Sequence, residues 1–360
     1  MNRFAPAEVW IERSELDTAM ARAVRDAVAP ELVRVFDTEE PPRPAGVRAG
    51  KRALVVRRHR GGFLRHCPAG TAGLVCCSYL TVNLASNCPL DCAYCFLQDY
   101  LADAPALTAY SNVETALAEV DGVLRAHPDR QFRIGTGEIA DSLALDPLTK
   151  LSHHLVPFFA ARPNGTLELK TKTDCVDELL GLDPGGRVVI SWSLNAEAVI
   201  ASDEPDAATL AERLAAARRV WAGGYRVGLH FDPLIEFDGW EAAYAEAVAA
   251  VAQAIPARAI AWVSLGSLRL SAPLAHAMRR REVVPRGLAA ELVAGPDGKA
   301  RVWRGLRLRM YRYLVARIRA ALGPVPLYLC MESPAVWQQV MDEVPSDRVL
   351  GLRLAAGAAW

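Results

Sequence analysis

The sequence predicts an α/β fold in which a parallel sheet curls into a full or partial β/α barrel. From about residue 80, short apolar and β-branched runs alternate with longer segments of helical periodicity. Such alternation is typical of parallel strands joined by crossover helices. The chain has 360 residues, 52% of them hydrophobic, which is sufficient for a large buried core. In barrels of this kind the chemistry lies at the carboxyl ends of the strands.

Each element is predicted from its own periodicity. Runs rich in Val, Ile, Leu and aromatic residues predict strands at residues 81–85, 132–135, 166–172, 187–194, 226–235, 260–268 and 325–330. Apolar residues at helical spacing predict helices at residues 113–127, 147–161, 176–182, 208–223, 240–255 and 306–322. These strand–helix units number six or seven, and we expect a partial (β/α)6-type barrel with extensions at both ends.

The segments outside the alternation suggest three regions. Residues 8–36 carry helical periodicity after a short strand at 9–11, and residues 38–46, rich in Pro and charge, read as a linker. We therefore predict an N-terminal extension over residues 1–66 and a barrel core over residues 67–270. Residues 271–360 form a C-terminal region with a basic helix and the last strand.

Composition limits the cellular setting. Lys plus Arg and Asp plus Glu balance at 41 each, so net charge indicates no nucleic-acid partner. No run approaches the ~18 apolar residues of a membrane span, and the first twenty residues lack the apolar core of a signal peptide. We expect a cytoplasmic protein with no membrane partner. There, the eight cysteines indicate metal or redox chemistry rather than structural disulfides.

Three cysteines are concentrated in one loop. Cys88, Cys92 and Cys95 have the spacing C-x3-C-x2-C and come just after the first predicted barrel strand. A four-iron cluster usually takes four thiolates. Three thiolates leave one iron with an open position that a small molecule can occupy. The alternative is a zinc site, which would need a fourth Cys or His nearby, and upstream cysteines keep it open.

The aromatic residue before the last cysteine, Tyr94, completes a pattern that resembles the radical SAM superfamily. The resemblance implies a [4Fe-4S] cluster whose open iron is chelated by the amino and carboxylate groups of S-adenosylmethionine. One electron from the cluster then breaks the sulfonium bond and gives a 5′-deoxyadenosyl radical. The protein orients the cofactor and excludes competing reactions. An electron donor such as flavodoxin or ferredoxin is implied as well.

From residue 81 to about 250 the chain also resembles the spore photoproduct lyase family. The resemblance lies in LTVNLASNCPLDCAYCFLQDY (80–100), DSLALD (141–146), LKTKTDCVDELL (169–180), SWSLNAEAVI (191–200) and the run at 211–240. It implies a DNA repair lyase. In that family the adenosyl radical takes hydrogen from C6 of a methylene-bridged thymine dimer, the bridge fragments, and a cysteine returns a hydrogen atom.

The resemblance also assigns roles to single residues. It implies that Cys88, Cys92 and Cys95 bind the cluster and that Tyr94 packs the adenine and belongs to a hydrogen-transfer pair. Lys172, at the end of the third barrel strand, would meet the SAM carboxylate. Its alternative is a solvated charge at a strand end.

Further cofactor contacts are implied at the ends of two other strands. Gly137 and Glu138 resemble the superfamily's Gly-Gly-Glu element, in which Glu accepts from the SAM amino group; Glu138 is otherwise a helix-capping acid. Ser193, with Asn195 beside it, would lie near the methionine or ribose. Both are also common turn residues.

Two positions depart from the family pattern. The hydrogen-donating cysteine, expected three residues before Asp141, is Glu138, and the tyrosine expected after the third cluster cysteine is Phe96. Neither side chain has the hydrogen that the family's donor route uses. Cys330, at the end of the last strand, and Cys175 are candidate substitutes. The alternative for each is a structural role as a small, buried hydrophobic residue.

Other residues remain candidates for less specific roles. Cys67, Cys76 and Cys77 precede the barrel and could ligate a second metal centre, serve redox chemistry or pack the loop. His230 and Asp232, on the fifth strand, are candidate polar lining for a substrate.

Two Arg-rich segments could contact DNA, at residues 47–62 and 301–319. The second interleaves Arg with Trp303, Tyr311 and Tyr313, as a phosphate and stacking surface would; its alternative is an amphipathic helix with a solvated basic face. Two other functions stay open. One is a radical SAM enzyme of the same family acting on a nucleotide, peptide or metabolite, and the other is a non-enzymatic iron–sulfur or zinc protein that binds nucleic acid.

Overall fold

The computed structural model describes residues 4–37, 44, 46–67, 71, 73–281 and 284–355. Its strands are β1 Glu8–Glu12, β2 Val33–Phe36, β3 Ala53–Arg57, β4 Leu64–His66, β5 Leu80–Val82, β6 Ala85–Ser86, β7 Leu107–Tyr110, β8 Phe132–Gly135, β9 Gly165–Thr171, β10 Val188–Ser193, β11 Arg226–Leu234, β12 Ile260–Ser267, β13 Arg269–Leu270, β14 Leu292–Ala294, β15 Ala300–Val302 and β16 Leu327–Leu329.

The α-helices follow in the same numbering. They are α1 Ala19–Ala27, α2 Val47–Gly50, α3 Leu97–Tyr100, α4 Val113–Ala126, α5 Asp146–Thr149, α6 Ser152–Ala160, α7 Glu197–Asp203, α8 Leu210–Ala222, α9 Trp240–Ala254, α10 Ala272–Arg279, α11 Arg304–Leu322, α12 Pro334–Met341 and α13 Asp347–Ala355. Side-chain caps define some of these starts. Thr209 caps α8 in a reciprocal box with Glu212, and Ser271 caps α10.

The largest sheet of the described residues has eight strands in the order β16-β12-β11-β10-β9-β8-β5-β4. Its pairs are parallel except for β4, which runs antiparallel to β5. Every residue of β10 and β12 is buried, as expected for parallel strands covered on both faces. Trp192 and Trp262 on these strands are fully buried, and each contributes roughly 2–3 kcal/mol through removal of apolar surface from water.

This sheet curls so that strands distant in its order meet across the interior. Arg133 on β8 donates to the phenol of Tyr328 on β16 at 3.2 Å, although four strands separate them in the sheet. A β-bridge between Val75 and Glu332 joins the segment before β5 to the segment after β16. The predicted α/β partial barrel is confirmed.

A second sheet, in the order β2-β1-β3-β7-β6, packs beside the barrel. Strands β6 and β7 flank the three-cysteine loop in sequence, so this sheet joins the N-terminal strands to the chain around that loop. Strand β4 pairs with the barrel strand β5, and β16 pairs with β12. Strand pairing thus crosses the predicted boundaries at residues 66 and 270. The division of the chain into three domains stays a prediction.

Several predicted elements differ from the structure. The predicted strand over residues 81–85 is divided into β5 and β6, which belong to different sheets, and the predicted helix over residues 176–182 contains only a short 3-10 helix at Asp177–Leu179. The helical periodicity over residues 8–36 corresponds to one α-helix, α1, between strands β1 and β2. The predicted helix over residues 147–161 is divided into α5 and α6, because Lys150 adopts a left-handed conformation with φ 53°. The predicted linker over residues 38–46 lies largely outside the described residues. None of the described helices is long and apolar enough to cross a bilayer.

Candidate active site

The three-cysteine loop begins directly after β6 and ends at α3. Cys88 and Cys92 are buried, and Cys95 is partly exposed. Burial raises the pKa of the Cys88 thiol well above its ordinary value and the pKa of the Cys92 thiol to about 12. The other cysteines of the loop lie close enough to shift both pKa values further upward. The three thiols therefore form one group in space.

Side chains outside the ligand positions fix the path of the loop. The Gln98 amide donates to the carbonyl groups of Cys92, Ala93 and Cys95 at 3.3, 3.0 and 3.1 Å. The Asn87 side chain accepts from the Cys88 amide at 2.8 Å. These contacts orient the backbone so that the ligand positions stay together, which is what a preorganised metal loop requires.

A second set of contacts ties the loop to the rest of the molecule. Buried Lys51 donates to the Leu90 carbonyl and lies 3.5 Å from the Asp91 carboxylate. Arg281 donates to the same carboxylate at 2.7 Å. The loop is thus anchored by one cation from the N-terminal region and one from the C-terminal region.

The donor set fits an iron–sulfur cluster better than a single ion. Within the described ranges, no group of three His, Cys, Asp or Glu side chains converges on a single-ion site, whereas a zinc site would need four converging ligands. In a cubane each thiolate binds a different iron, so Cys88, Cys92 and Cys95 need only surround a common space. Thiolates are the usual ligands of such clusters.

A buried carboxylate connects two of the predicted cofactor-binding residues. Glu204, after α7, accepts from the Tyr94 phenol, from Lys172 Nζ at 2.7 Å and from Arg213 at 2.5 Å. Lys172 Nζ also donates to the Tyr94 hydroxyl at 2.9 Å. Burial alone would raise the pKa of Glu204, but Lys172 and Arg213 outweigh it and lower the pKa to about 2. The structure therefore brings Tyr94 and Lys172 together beside the cysteine loop.

The sequence did not single out Glu204 or Arg213. Glu204 lies in an ordinary helix–loop stretch, and Arg213 in an Ala-rich helix, α8. Neither position has a local pattern that marks it as buried and charged. A buried cation beside the cysteine loop would imply a carboxylate counter-ion. The sequence does not show where along the chain that carboxylate lies.

At the end of β8, Gly137 and Glu138 face the end of β9. A Cβ at Gly137 would lie 2.8 Å from the Lys170 Cβ, so the close approach requires glycine. Burial raises the pKa of Glu138 above its ordinary value. Asp141 accepts from the Lys172 amide at 2.8 Å and the Thr171 hydroxyl at 2.8 Å, and it thereby joins the loop after β8 to the end of β9.

Ser193 and Asn195 lie at the end of β10 and are both buried. The Asn195 amide donates to the Pro233 carbonyl at 3.0 Å and accepts from the Tyr244 hydroxyl at 2.5 Å. Its side chain therefore joins the ends of β10 and β11. A direct role for Ser193 or Asn195 at a cofactor stays a prediction.

The barrel interior contains a charged cluster that links four strands. Glu168 on β9 accepts from Arg133 at 2.6 Å, Ser191 at 2.6 Å and His230 at 2.7 Å. Burial lowers the pKa of His230, although the adjacent Glu168 carboxylate acts to raise it. Asp232 instead pairs with Arg269 at 2.8 Å. His230 and Asp232 thus belong to separate polar groups inside the barrel.

The remaining cysteines lie in different surroundings. Cys330 follows β16, and burial raises the pKa of its thiol well above the ordinary value, with Asp232 and Arg269 nearby. Cys175 packs at the edge of the core after β9. The Cys76 thiol hydrogen-bonds to Cys77, which lowers the pKa of Cys76 to about 7. The described part of the chain shows no three-ligand metal site at Cys67, Cys76 and Cys77.

The predicted phosphate and stacking surface over residues 301–319 is wrong for several of its residues. Arg301 pairs with Asp297, Arg307 pairs with Glu332 at 2.9 Å, and both arginines are buried. Tyr311 is fully buried. Arg307 and Tyr311 face inward because α11 packs against α9 and α12. The other arginines of α11 are exposed, as expected for an amphipathic helix with a solvated basic face. Trp303 is 53% exposed.

The basic segment 47–62 is partly internal: Lys51 is buried, whereas Arg52, Arg58 and Arg60 are exposed. Residues 53–56 of β3 belong to the core. Arg58 lies near Glu15, and Arg60 pairs with buried Glu12. A contact between this segment and DNA stays a prediction.

Comparison with known proteins decides the family. A sequence model described as spore photoproduct lyase matches residues 73–269, which contain the cysteine loop and barrel strands β5 and β8–β12. The chain belongs to the spore photoproduct lyase family. This match contains all the residues predicted to bind the cluster and the cofactor.

Curated relatives and solved structures agree with this assignment. The chain is 31% identical over 165 residues to spore photoproduct lyase of Geobacillus sp. (strain Y412MC61), which is 46% of this chain and 48% of that protein. The chain thus spans about half the length of that relative. It is 26% identical over 247 residues to spore photoproduct lyase of Bacillus subtilis (strain 168), which is 68% of this chain and 72% of that one.

The fold resembles solved spore photoproduct lyases. One variant with dinucleoside spore photoproduct superposes with a TM-score of 0.78 at 21% identity, covering 91% of this chain and 100% of that chain. A variant with bound AdoMet and dinucleoside spore photoproduct gives the same TM-score and identity, covering 92% and 100%. At this identity, the superposition shows a shared fold.

Proposed function

We propose that this member of the spore photoproduct lyase family is a radical SAM lyase that repairs a methylene-bridged thymine dimer in DNA. The observation that carries the proposal is the loop at Cys88, Cys92 and Cys95, three mutually close thiols after the first strand of a half-barrel. When bound, the [4Fe-4S] cluster and S-adenosylmethionine supply a 5′-deoxyadenosyl radical. The chain's own residues bind, orient and shield those groups.

Several side chains are suited to hold the cofactor. Lys172 offers a cation that Glu204 keeps in place, and a carboxylate group is the partner that such a cation favours. Glu138 supplies a carboxylate toward an amino group. The Tyr94 ring is buried beside the same site. Ser193 and Asn195 complete the proposed set at the end of β10.

The hydrogen donor is the part of the reaction that this sequence changes. Glu138 has no S–H bond at the family's donor position, so either another thiol serves or the chemistry differs. We assign Cys330 this role, with Cys175 as the alternative. Burial raises the pKa of Cys330, which keeps the thiol protonated and its hydrogen available at neutral pH. Cys330 also follows a barrel strand at the carboxyl end, where the chemistry of such barrels lies.

The test is a single anaerobic turnover experiment. The reconstituted and reduced protein receives S-adenosylmethionine and an oligonucleotide with one methylene-bridged thymine dimer, and mass spectrometry follows thymine restoration and 5′-deoxyadenosine. Restored thymine supports the repair lyase. The matched control is Cys92→Ala, which should abolish both signals.

A second candidate is a lyase of the same family with another substrate, such as a modified nucleotide, a peptide or a metabolite. The specific observation in its favour is the pair of departures at Glu138 and Phe96, which remove the family's donor route. 5′-Deoxyadenosine without restored thymine in the same experiment would favour this candidate. Absence of both products from a protein with an intact cluster would contradict both.

A further inference from the structure

One face of the molecule lies directly over the cysteine loop and is open to solvent. Phe96, next to Cys95 in the chain, is 45% exposed, and Tyr100 at the end of α3 is 66% exposed. Their ring centroids lie 6.1 Å apart. We call Phe96, Tyr100, Arg279 and Arg280 the loop face.

Helix α10 is fixed against the loop by polar contacts at both ends. At its start, the Ser271 hydroxyl donates to Asp99 of α3 at 2.8 Å. Just after its end, Arg281 donates to Gln98 at 3.1 Å and to Asp91 at 2.7 Å. The exposed side chains at the end of α10 therefore have a defined position beside the aromatic pair.

The charge of the loop face is positive. Arg279 and Arg280 are exposed, and within the described residues neither guanidinium pairs with a carboxylate. Arg281 already forms an ion pair with Asp91. Adjacent aromatic and Arg side chains are the composition that protein–protein contact surfaces favour.

We propose that the loop face is the docking surface for an acidic protein that carries single electrons. This proposal rests on the proposed function, because a bound cluster needs an electron from outside and Cys95 is the partly exposed ligand position. An acidic carrier complements Arg279 and Arg280, and the aromatic pair supplies the apolar centre of the contact. Charge complementarity of this kind accelerates association and depends on ionic strength.

The first test measures binding directly. Flavodoxin is the probe, and biolayer interferometry gives its dissociation constant for the full chain at low and high salt. Arg279→Glu/Arg280→Glu should weaken binding by about tenfold or more at low salt and flatten the salt dependence. Tyr100→Ala should weaken it with little change in salt dependence. The charge-matched control, Arg218→Glu/Arg258→Glu, changes exposed arginines of α8 and the segment before β12 and should bind like the unmodified chain.

The second test separates docking from chemistry. The reconstituted double variant should cleave S-adenosylmethionine at the unmodified rate with dithionite, a small reductant that needs no docking surface, and roughly tenfold more slowly with reduced flavodoxin. Loss of the dithionite reaction in the unmodified protein would contradict the proposed function while the binding result still stands.

Two outcomes would overturn the docking proposal. One is unchanged flavodoxin affinity in Arg279→Glu/Arg280→Glu at low salt. The other is a double variant that loses affinity for a duplex oligonucleotide and keeps its affinity for flavodoxin, which would make the loop face a nucleic-acid surface.

Discussion

At the scale of single residues, the site depends on buried charges that satisfy one another. Glu204 has no exposed surface on its side chain and still keeps three donors. Each of these contacts replaces hydration that the carboxylate loses on burial. Removing one member leaves the others buried without a counter-charge, which costs more than the pair itself contributes.

We expect Glu204→Gln to lower the free energy of unfolding by about 3 kcal/mol, because fully buried Arg213 and partly buried Lys172 would remain beside a neutral amide. The measurement is urea unfolding at pH 7. The matched control is Glu343→Gln, which breaks the exposed pair with Arg353 and should change stability by less than about 1 kcal/mol. Equal effects in both variants would contradict the argument from burial.

The same carboxylate predicts a pH dependence. Its pKa is about 2 in the folded protein and 4.5 ordinarily, so below pH 4.5 the unfolded chain binds a proton here that the folded chain does not. The stabilisation from Glu204 is therefore complete above pH 4.5 and is lost as the pH falls toward 2. Urea unfolding across this range should show a shallower slope in Glu204→Gln than in the unmodified protein.

The assignment of Cys330 as the hydrogen donor can be tested by substitution. Cys330→Ala should still form 5′-deoxyadenosine but restore thymine at least about tenfold more slowly, a change of about 1.4 kcal/mol in barrier. In D2O the unmodified protein should place deuterium in the restored thymine, because a thiol proton exchanges with solvent. Cys175→Ala is the matched control. The assignment is wrong if Cys175→Ala, and not Cys330→Ala, loses restoration.

At the scale of elements, Glu168 holds strands together inside the barrel. Its carboxylate on β9 accepts from side chains on β8, β10 and β11. Sheet hydrogen bonds join only neighbouring strands, whereas this carboxylate also reaches β11, two strands away. A buried network of this type is rigid when every member is satisfied.

Glu168→Gln should therefore destabilise the fold by roughly 3–5 kcal/mol, because it leaves Arg133 charged and buried. The measurement is the midpoint of guanidinium unfolding, with amide hydrogen exchange to locate the loss of protection. Exchange should increase mainly in β8, β10 and β11. Asp177→Asn, which weakens an exposed contact with Arg219, serves as the control and should leave these strands protected.

At the scale of the whole molecule, the cysteine loop is held by side chains from three regions of the chain. Lys51 comes from the N-terminal region, Gln98 from α3 directly after the loop and Arg281 from the segment after α10. These contacts do not involve the thiol groups. The barrel strands have a continuous core of their own.

We therefore expect removal of the cluster to lower the melting temperature without unfolding the barrel. Binding to the folded state alone stabilises it by mass action, so calorimetry should give a higher melting temperature for the reconstituted protein. Far-ultraviolet circular dichroism should be the same with and without the cluster. In a Cys88→Ala/Cys92→Ala/Cys95→Ala variant, reconstitution should produce no shift. Loss of the sheet signal on chelation would contradict this prediction.

The barrel strands and the cysteine loop could be predicted from residue order. Strands such as β12, predicted at residues 260–268, matched because parallel strands buried on both faces are largely apolar runs. The loop was found because one short stretch of chain supplies all three thiols. Both signals are local, and local signals can be read from residue order.

Which charges are buried, and which partners they have, became visible in the folded molecule. The Arg-rich stretch at 301–319 suggested an exposed surface, but Arg307 forms an ion pair with Glu332 and Tyr311 is buried. Glu204 meets Lys172 and Tyr94 from positions 32 and 110 residues away in the chain. Whether a charge is solvated or paired depends on the side chains that the fold brings against it, and residue order does not contain that information.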